Sequence, residues 1–284
     1  MRTFHWPAYD SLLDARGLVA SVQSLTDHLE TAARMVVAYN GDPANWHEWV
    51  RRVQPSLPSA VELVNVWDYH SDVVNSAYGS VVCGERVGET RGSAFFKKWL
   101  GYCVPGLCPS PCVYLDTDTI TFSNPAHVLE GMEGMCIRYI PAHDALDGGV
   151  HRLWVKSSCP WPMIRDGGAG TLVFPSAHAP HRFLEAMSDV IESLGLLGSQ
   201  ESCVEQGACM AALGRFPSAP LSPVLYRICN PGRPFGFYGI KEVTKPPVEM
   251  IHFVSHSLFS TGMRIPYCAV LLRKTEQWKE RQHA

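Results

Sequence analysis

The sequence predicts an α/β protein built on a mostly parallel sheet, with helices on both faces and a smaller, mixed C-terminal part. Three observations carry this. Short runs rich in β-branched and aromatic residues alternate with apolar stripes of helical period over the first 120 residues. That alternation is the one that crossover connections turn into a parallel sheet. Hydrophobic residues make up 46% and charged residues 18%, enough apolar mass for a proper core and too little charge for a disordered chain.

The elements follow in order. Arg2 to Trp6 is a strand stopped at Pro7. From Ser11 to Leu29, residues Leu12, Leu13, Leu18, Val22, Leu25 and Leu29 form the stripe of an amphipathic helix. Met35 to Tyr39 is a buried strand ending in the turn Asn40-Gly41-Asp42-Pro43, followed by a helix from Pro43 to Arg52. Val61 to Trp67 gives a third strand, Ser93 to Tyr102 a helix, and Cys112 to Leu115 a fourth strand that runs into Asp116-Thr117-Asp118-Thr119. The second half, richer in proline and glycine, holds a strand at Ala169–Phe174, helices at Pro180–Leu197 and Glu205–Leu213, and a strand at Met250–Val254. The polar stretch Glu276–Ala284 reads as a frayed tail.

Composition narrows the function classes. Lysine and arginine number 24 against 27 acidic residues, a net charge of -3, so no strong basic field holds nucleic acid by phosphate neutralisation. No apolar run is long enough to span a membrane, and the opening residues lack the form of a signal peptide, so a cytoplasmic location is expected. The cysteines lack the spacing of a disulfide scaffold and read as reduced, buried thiols. The cluster Cys103, Cys108 and Cys112 leaves a structural zinc as the alternative.

In parallel sheets ligands sit beyond the carboxyl ends of the strands, which directs attention to His5 and Trp6, Tyr39 to Asp42, Trp67 and Asp68, and Asp116 and Asp118. The last two are separated by one residue, and in extended backbone their carboxylates share a face. Two carboxylates held that close call for a cation or a shared proton. Oxygen ligands at a strand end suit Mg²⁺ or Mn²⁺, whereas a solvated turn is the plainer reading of the same pair.

The segment Val113-Tyr114-Leu115-Asp116-Thr117-Asp118-Thr119-Ile120 resembles the V-[LY]-Y-L-D-x-D-x-[IVL] signature of nucleotide-sugar glycosyltransferases of the GT-A fold. Ala94 to Leu100 is similar to the helix those enzymes place before the metal strand. Asp166 to Phe174 resembles their F-N-[SA]-G segment, Val204 to Met210 their [DE]-Q helix start, and Met250 to Phe253 the strand whose histidine completes the metal shell in glycogenin-like members. The matches keep the family's order and cover roughly residues 1 to 260. The chain departs at Gly168, where the family has asparagine, and at Val254-Ser255-His256-Ser257, where it often has G-x-x-K-P-W. His256 therefore competes with His252 as third metal ligand.

The resemblance implies one GT-A-like catalytic domain over 1–284, with a nucleotide-binding half (1–122), a sugar and acceptor half (123–260) and a C-terminal tail (261–284). It implies a Mn²⁺ or Mg²⁺ ion held by Asp116, Asp118 and His252, with Asp116 also facing the ribose. Lys98 or Lys97 would stand near the phosphates, and the nucleotide base near Thr3, His5, Trp6 and Tyr39. Asp166 and Glu205 would meet sugar hydroxyls, one of them acting as base if the reaction inverts. A UDP-sugar comes first among the donors. The acceptor is a saccharide, a protein or, because the opening Thr3–Asp10 loosely resembles phage-type transferases, a modified DNA base, against which the acidic balance speaks. A non-catalytic nucleotide-sugar-binding protein and a metal-dependent nucleotidyltransferase or pyrophosphatase are the alternatives.

Overall fold

The computed structural model describes residues 1–83, 95–125, 137–141, 167–175, 180–197, 204–222, 224–229, 244, 246–253 and 257–281. Its larger sheet contains β1 (Arg2–Ala8), β2 (Ala33–Tyr39), β3 (Val61–Asn65), β4 (Cys112–Leu115), β6 (Ile137–Pro141), β7 (Gly167–Phe174) and β8 (Ser218–Pro220) in the order β3-β2-β1-β4-β7-β6-β8. The first four run parallel, and β7 pairs antiparallel to β4 and β6. A smaller sheet is made by β5 (Thr119–Thr121), β10 (Met250–Phe253) and β9 (Tyr226–Cys229). The mostly parallel α/β architecture is the one that the alternation predicts.

Alternation along the central strands sorts side chains to two cores. On one face Val36, Ala38, Tyr114, Leu172 and Phe174 pack under α5 (Pro180–Leu194) and α6 (Val204–Leu213). The short helices α3 (His70–Asn75) and α4 (Ala77–Val82) join this core through Val73, Tyr78 and Val82. On the other face Phe4, Trp6, Val37, Val113 and Val173 pack under α1 (Leu12–His28) and α2 (Trp46–Val53). A third cluster joins the small sheet to α7 (Ser257–Ser260) and α8 (Pro266–Arg281) through Ile251, Phe253, Leu258, Cys268 and Leu272.

Several boundaries differ from expectation for physical reasons. β1 does not stop at Pro7 but passes through it to Ala8. Thr3 gives its N–H to Pro111 on the β4 side, and Ala8 accepts from Asn40 on the β2 side. By alternation the N–H that Pro7 lacks would point toward β4, beyond the last paired residue, so no ladder bond is lost. Of the helix expected from Ser93 to Tyr102, Phe95 and Phe96 are helical and Lys97 to Cys103 form a 3-10 run, while Ser93 and Ala94 lie outside the described residues. α8 runs on through Arg281, covering part of the stretch read as a frayed tail.

α1 is shaped to carry the turn beyond β4. It is capped by Ser11, whose hydroxyl accepts the Asp14 N–H at 3.3 Å. Further along, Ser24 accepts the Thr121 N–H at 2.9 Å and so fixes β5. Between them, a Cβ at Gly17 would stand 2.9 Å from the Thr117 carbonyl oxygen. Only the bare glycine lets the helix and the turn approach this closely.

Candidate metal and nucleotide site

The chain leaves β4 at Leu115 and turns at once. The Asp116 N–H donates to the Gly170 carbonyl at 2.9 Å, and the Thr119 N–H closes back on the Asp116 carbonyl at 3.1 Å. Asp118 thus sits in a tight turn, not in the extended backbone from which its shared face with Asp116 was expected. The two carboxylates converge nonetheless. The Phe253 N–H donates to the Asp118 carbonyl at 3.0 Å, tying the turn to β10 and to its neighbour His252.

His252 completes the cluster. Its Nε2 lies 3.1 Å from Asp118 Oδ1 and 3.6 Å from Asp116 Oδ2. Asp116, Asp118 and His252 each offer one ligand atom within 4.8 Å of the others, and they form the metal-competent group of three among the described residues. Burial disfavours the imidazolium, but Asp118 and then Asp116 outweigh it and move the His252 pKa upward. The far nitrogen, Nδ1, is buried without a hydrogen-bond partner. The ring is placed by shape: a Cβ on Gly170 would stand 2.2 Å from Nδ1 and Cε1.

On the other side of Asp116, Lys98 is 6% exposed, with Nζ 3.5 Å from Asp116 Oδ1 and 3.1 Å from Glu205 Oε2. It also lies over the rings of Trp99 and Tyr114, 5.1 and 5.5 Å from their centroids. Burial would discharge it, but the two carboxylates hold it protonated, above the usual lysine range. Glu205 shares that single lysine with Asp116, so burial prevails and its pKa rises. Its other oxygen accepts the Trp99 indole N–H at 2.6 Å. Tyr114 in turn donates to Asp116.

Three carboxylates therefore crowd one ammonium and one imidazole. The surplus negative charge and the donor set, two carboxylate oxygens and a nitrogen, fit a divalent cation of the Mg²⁺ or Mn²⁺ kind.

Of the residues expected at this site, the structure brings together Asp116, Asp118, His252, Lys98 and Glu205. Lys97 is not in the cluster, and Asp166 and His256 lie outside the described residues. The four expected around the nucleotide base are placed differently. Thr3 pairs with Cys112 at the opposite end of the strands from Asp116. Trp6 points to the α1 face, fully buried, its indole N–H donating to Ser21 at 2.9 Å. His5 is sealed between β1, Tyr102 and Tyr114 with both ring nitrogens unpartnered, and burial lowers its pKa to about 3. Tyr39 is buried against Trp46 and Trp49, its hydroxyl donating to Asp10. The expectation placed the end of β1 at Trp6, whereas the strand runs to Ala8 and is followed by Tyr9 and Asp10. Tyr114, in β4 two residues before Asp116, is visible in the sequence as part of the motif, and its hydrogen bond to Asp116 emerges only with the fold. Cys103, Cys108 and Cys112 are buried free thiols, and among the described residues they belong to no group of three metal donors.

No protein-family model matches the sequence, and no curated protein matches it. Solved structures do. Mouse xyloside xylosyltransferase 1 superposes with a TM-score of 0.54 at 11% identity, over 90% of this chain and 98% of that one. The galactosyltransferase LgtC, in complex with donor and acceptor sugar analogues, gives 0.53 at 13% identity over 94% and 95%. The bifunctional glycosyltransferase WbbM gives 0.57 at 12% identity over 89% of this chain and 45% of that one. The fold is the GT-A fold. Identities this low establish the GT-A architecture and leave activity to be argued from the site. No helix among the described residues is long and apolar enough to cross a membrane.

Proposed function

We propose that the chain is a metal-dependent glycosyltransferase that moves a sugar from a nucleotide-diphosphate donor, a UDP-sugar first among the candidates, to a saccharide, protein or modified-base acceptor. The observation that carries the reading is the convergence of Asp116, Asp118 and His252 within 4.8 Å at the carboxyl end of β4 in a GT-A fold.

Each residue has a task. Asp118 and His252 bind the ion, and Asp116 binds it while accepting from Tyr114 and Lys98. When bound, a Mn²⁺ or Mg²⁺ ion supplies positive charge where the β-phosphate of the leaving nucleotide gains negative charge. Lys98, kept charged in its aromatic and carboxylate surroundings, adds a second fixed cation beside the donor. Glu205 holds Lys98 in place through one oxygen and is itself held by Trp99 through the other. That double engagement suits a positioning role better than the base or sugar contact its motif implies. Asp166 remains the candidate for the contact with sugar hydroxyls.

Purified protein with Mn²⁺ and a panel of UDP-, GDP- and ADP-sugars, assayed for nucleotide release, tests this. Release that disappears in Asp118→Ala with folding retained is the expected outcome. The occupation of both Glu205 oxygens favours one alternative, a nucleotide-sugar-binding protein without turnover. Tight binding with no release in any combination of donor and acceptor would select it.

A further inference from the structure

Tyr9 directly follows β1, and Asp10 and Ser11 separate it from α1 at the carboxyl end of the sheet. The residue as a whole is half-buried, yet its hydroxyl oxygen is buried and has no hydrogen-bond partner. A buried hydroxyl left unpaired costs about 1–3 kcal/mol, and most such groups in folded proteins are paired. The neighbouring phenols obey the rule. Tyr114 donates to Asp116, Tyr39 to Asp10, and Tyr78 to the Phe96 carbonyl at 2.7 Å. Tyr9 breaks it.

Two of the three charges bearing on Tyr9, Asp116 and Glu205, belong to the site. Burial and then Asp116, Glu205 and Asp14 raise its pKa well above the ordinary phenol value, so it remains a proton donor at any working pH. Asp116 is already engaged by Tyr114, Lys98 and His252 and does not take the Tyr9 proton. A donor without an acceptor, just past the end of β1 as Asp116 lies just past the end of the adjacent, parallel β4, awaits an oxygen that the protein itself does not provide.

We propose that the Tyr9 hydroxyl donates a hydrogen bond to a phosphate oxygen of the bound nucleotide diphosphate. The inference deepens the function proposed above and rests on it. A phosphate oxygen fits because it only accepts and carries charge, which makes the bond worth about 1.5–3 kcal/mol, whereas a sugar hydroxyl would bring a competing donor. Tyr9 would then be a specificity residue that favours diphosphates and is satisfied only in the complex.

The test is Tyr9→Phe, which removes one oxygen and keeps the ring. Calorimetric titration with UDP, GDP and ADP in the presence of Mn²⁺, and with the glucose conjugate of whichever binds, is run beside thermal melting without ligand. The expected result is a loss of affinity of about 10- to 100-fold for both the diphosphate and its sugar conjugate, with an unliganded melting temperature no lower than the parent's. Equal affinity in Tyr9→Phe and the parent would overturn the role of Tyr9 and leave the proposed function standing. A melting point several degrees lower would also overturn it, because the hydroxyl would then have a partner inside the protein. A parent chain that binds none of the three nucleotides would overturn the functional reading itself, and this inference with it.

Discussion

Gly170 lies against the imidazole of His252 so closely that a Cβ on the glycine would stand 2.2 Å from the ring, and the same glycine accepts the Asp116 N–H. One residue on β7 therefore positions two metal-ligand candidates, one in the turn after β4 and one on β10. Interiors packed this tightly do not absorb an added methyl without moving something. In Gly170→Ala the ring must swing away from Asp118, and Mn²⁺ affinity measured by calorimetry should fall at least about tenfold, with overpacking costing about 1–3 kcal/mol of stability. Unchanged Mn²⁺ affinity would show that His252 is not placed by this contact.

Gly17 plays the matching part on the opposite side of the turn. Gly17→Ala should be destabilising by about 1–3 kcal/mol in a denaturant titration, although alanine is the better helix former, because the Thr117 carbonyl is backbone and cannot rotate aside. A gain in stability would mean that the turn yields freely.

Lys98 compensates the buried Glu205 and the half-buried Asp116 at once. Lys98→Met keeps most of the volume but leaves Asp116 and Glu205 without their cation, and it should cost about 3–5 kcal/mol. Glu205→Gln, which keeps an acceptor for Trp99, should cost clearly less. Chemical denaturation of the two variants checks the order, and the reverse order would remove Lys98 from the centre of the network.

His5 gives the fold a pH dependence of its own. Its folded pKa is lowered from 6.5 to about 3, so the unfolded chain binds the proton first. The stability it contributes is complete above pH 6.5 and is lost as pH falls from there toward 3, at up to about 1.4 kcal/mol per pH unit. The difference in unfolding free energy between the parent and His5→Phe, followed across that window, should show this slope. A flat difference would mean that the ring titrates alike in the folded and unfolded chain.

Trp6→Phe separates packing from base recognition. Loss of the indole bond to Ser21 should cost about 1 kcal/mol of stability while nucleotide affinity stays the same. A weakened nucleotide affinity would restore Trp6 to the ligand.

These cases show what was legible in the sequence. The strand–helix alternation gave the parallel half of the large sheet, and Asp116, Asp118, His252, Lys98 and Glu205 were found because residue type and order survive in a linear pattern. The end of β1 was not legible, because it depends on which neighbour Pro7 faces, a fact of pairing and not of composition. The roles of Gly17 and Gly170 were hidden for a similar reason. A glycine's importance here lies in what it faces across the fold, and no spacing along the chain encodes that.

The most direct test of the metal centre is Mn²⁺ binding followed by electron paramagnetic resonance in the full chain and in Asp118→Asn. One site per chain in the parent, abolished or weakened at least about 100-fold in a variant that melts normally, is the expected result, since the variant removes a charged ligand and keeps the side chain's shape. Undiminished binding in Asp118→Asn, or no binding in the parent, would contradict a centre built on Asp116, Asp118 and His252.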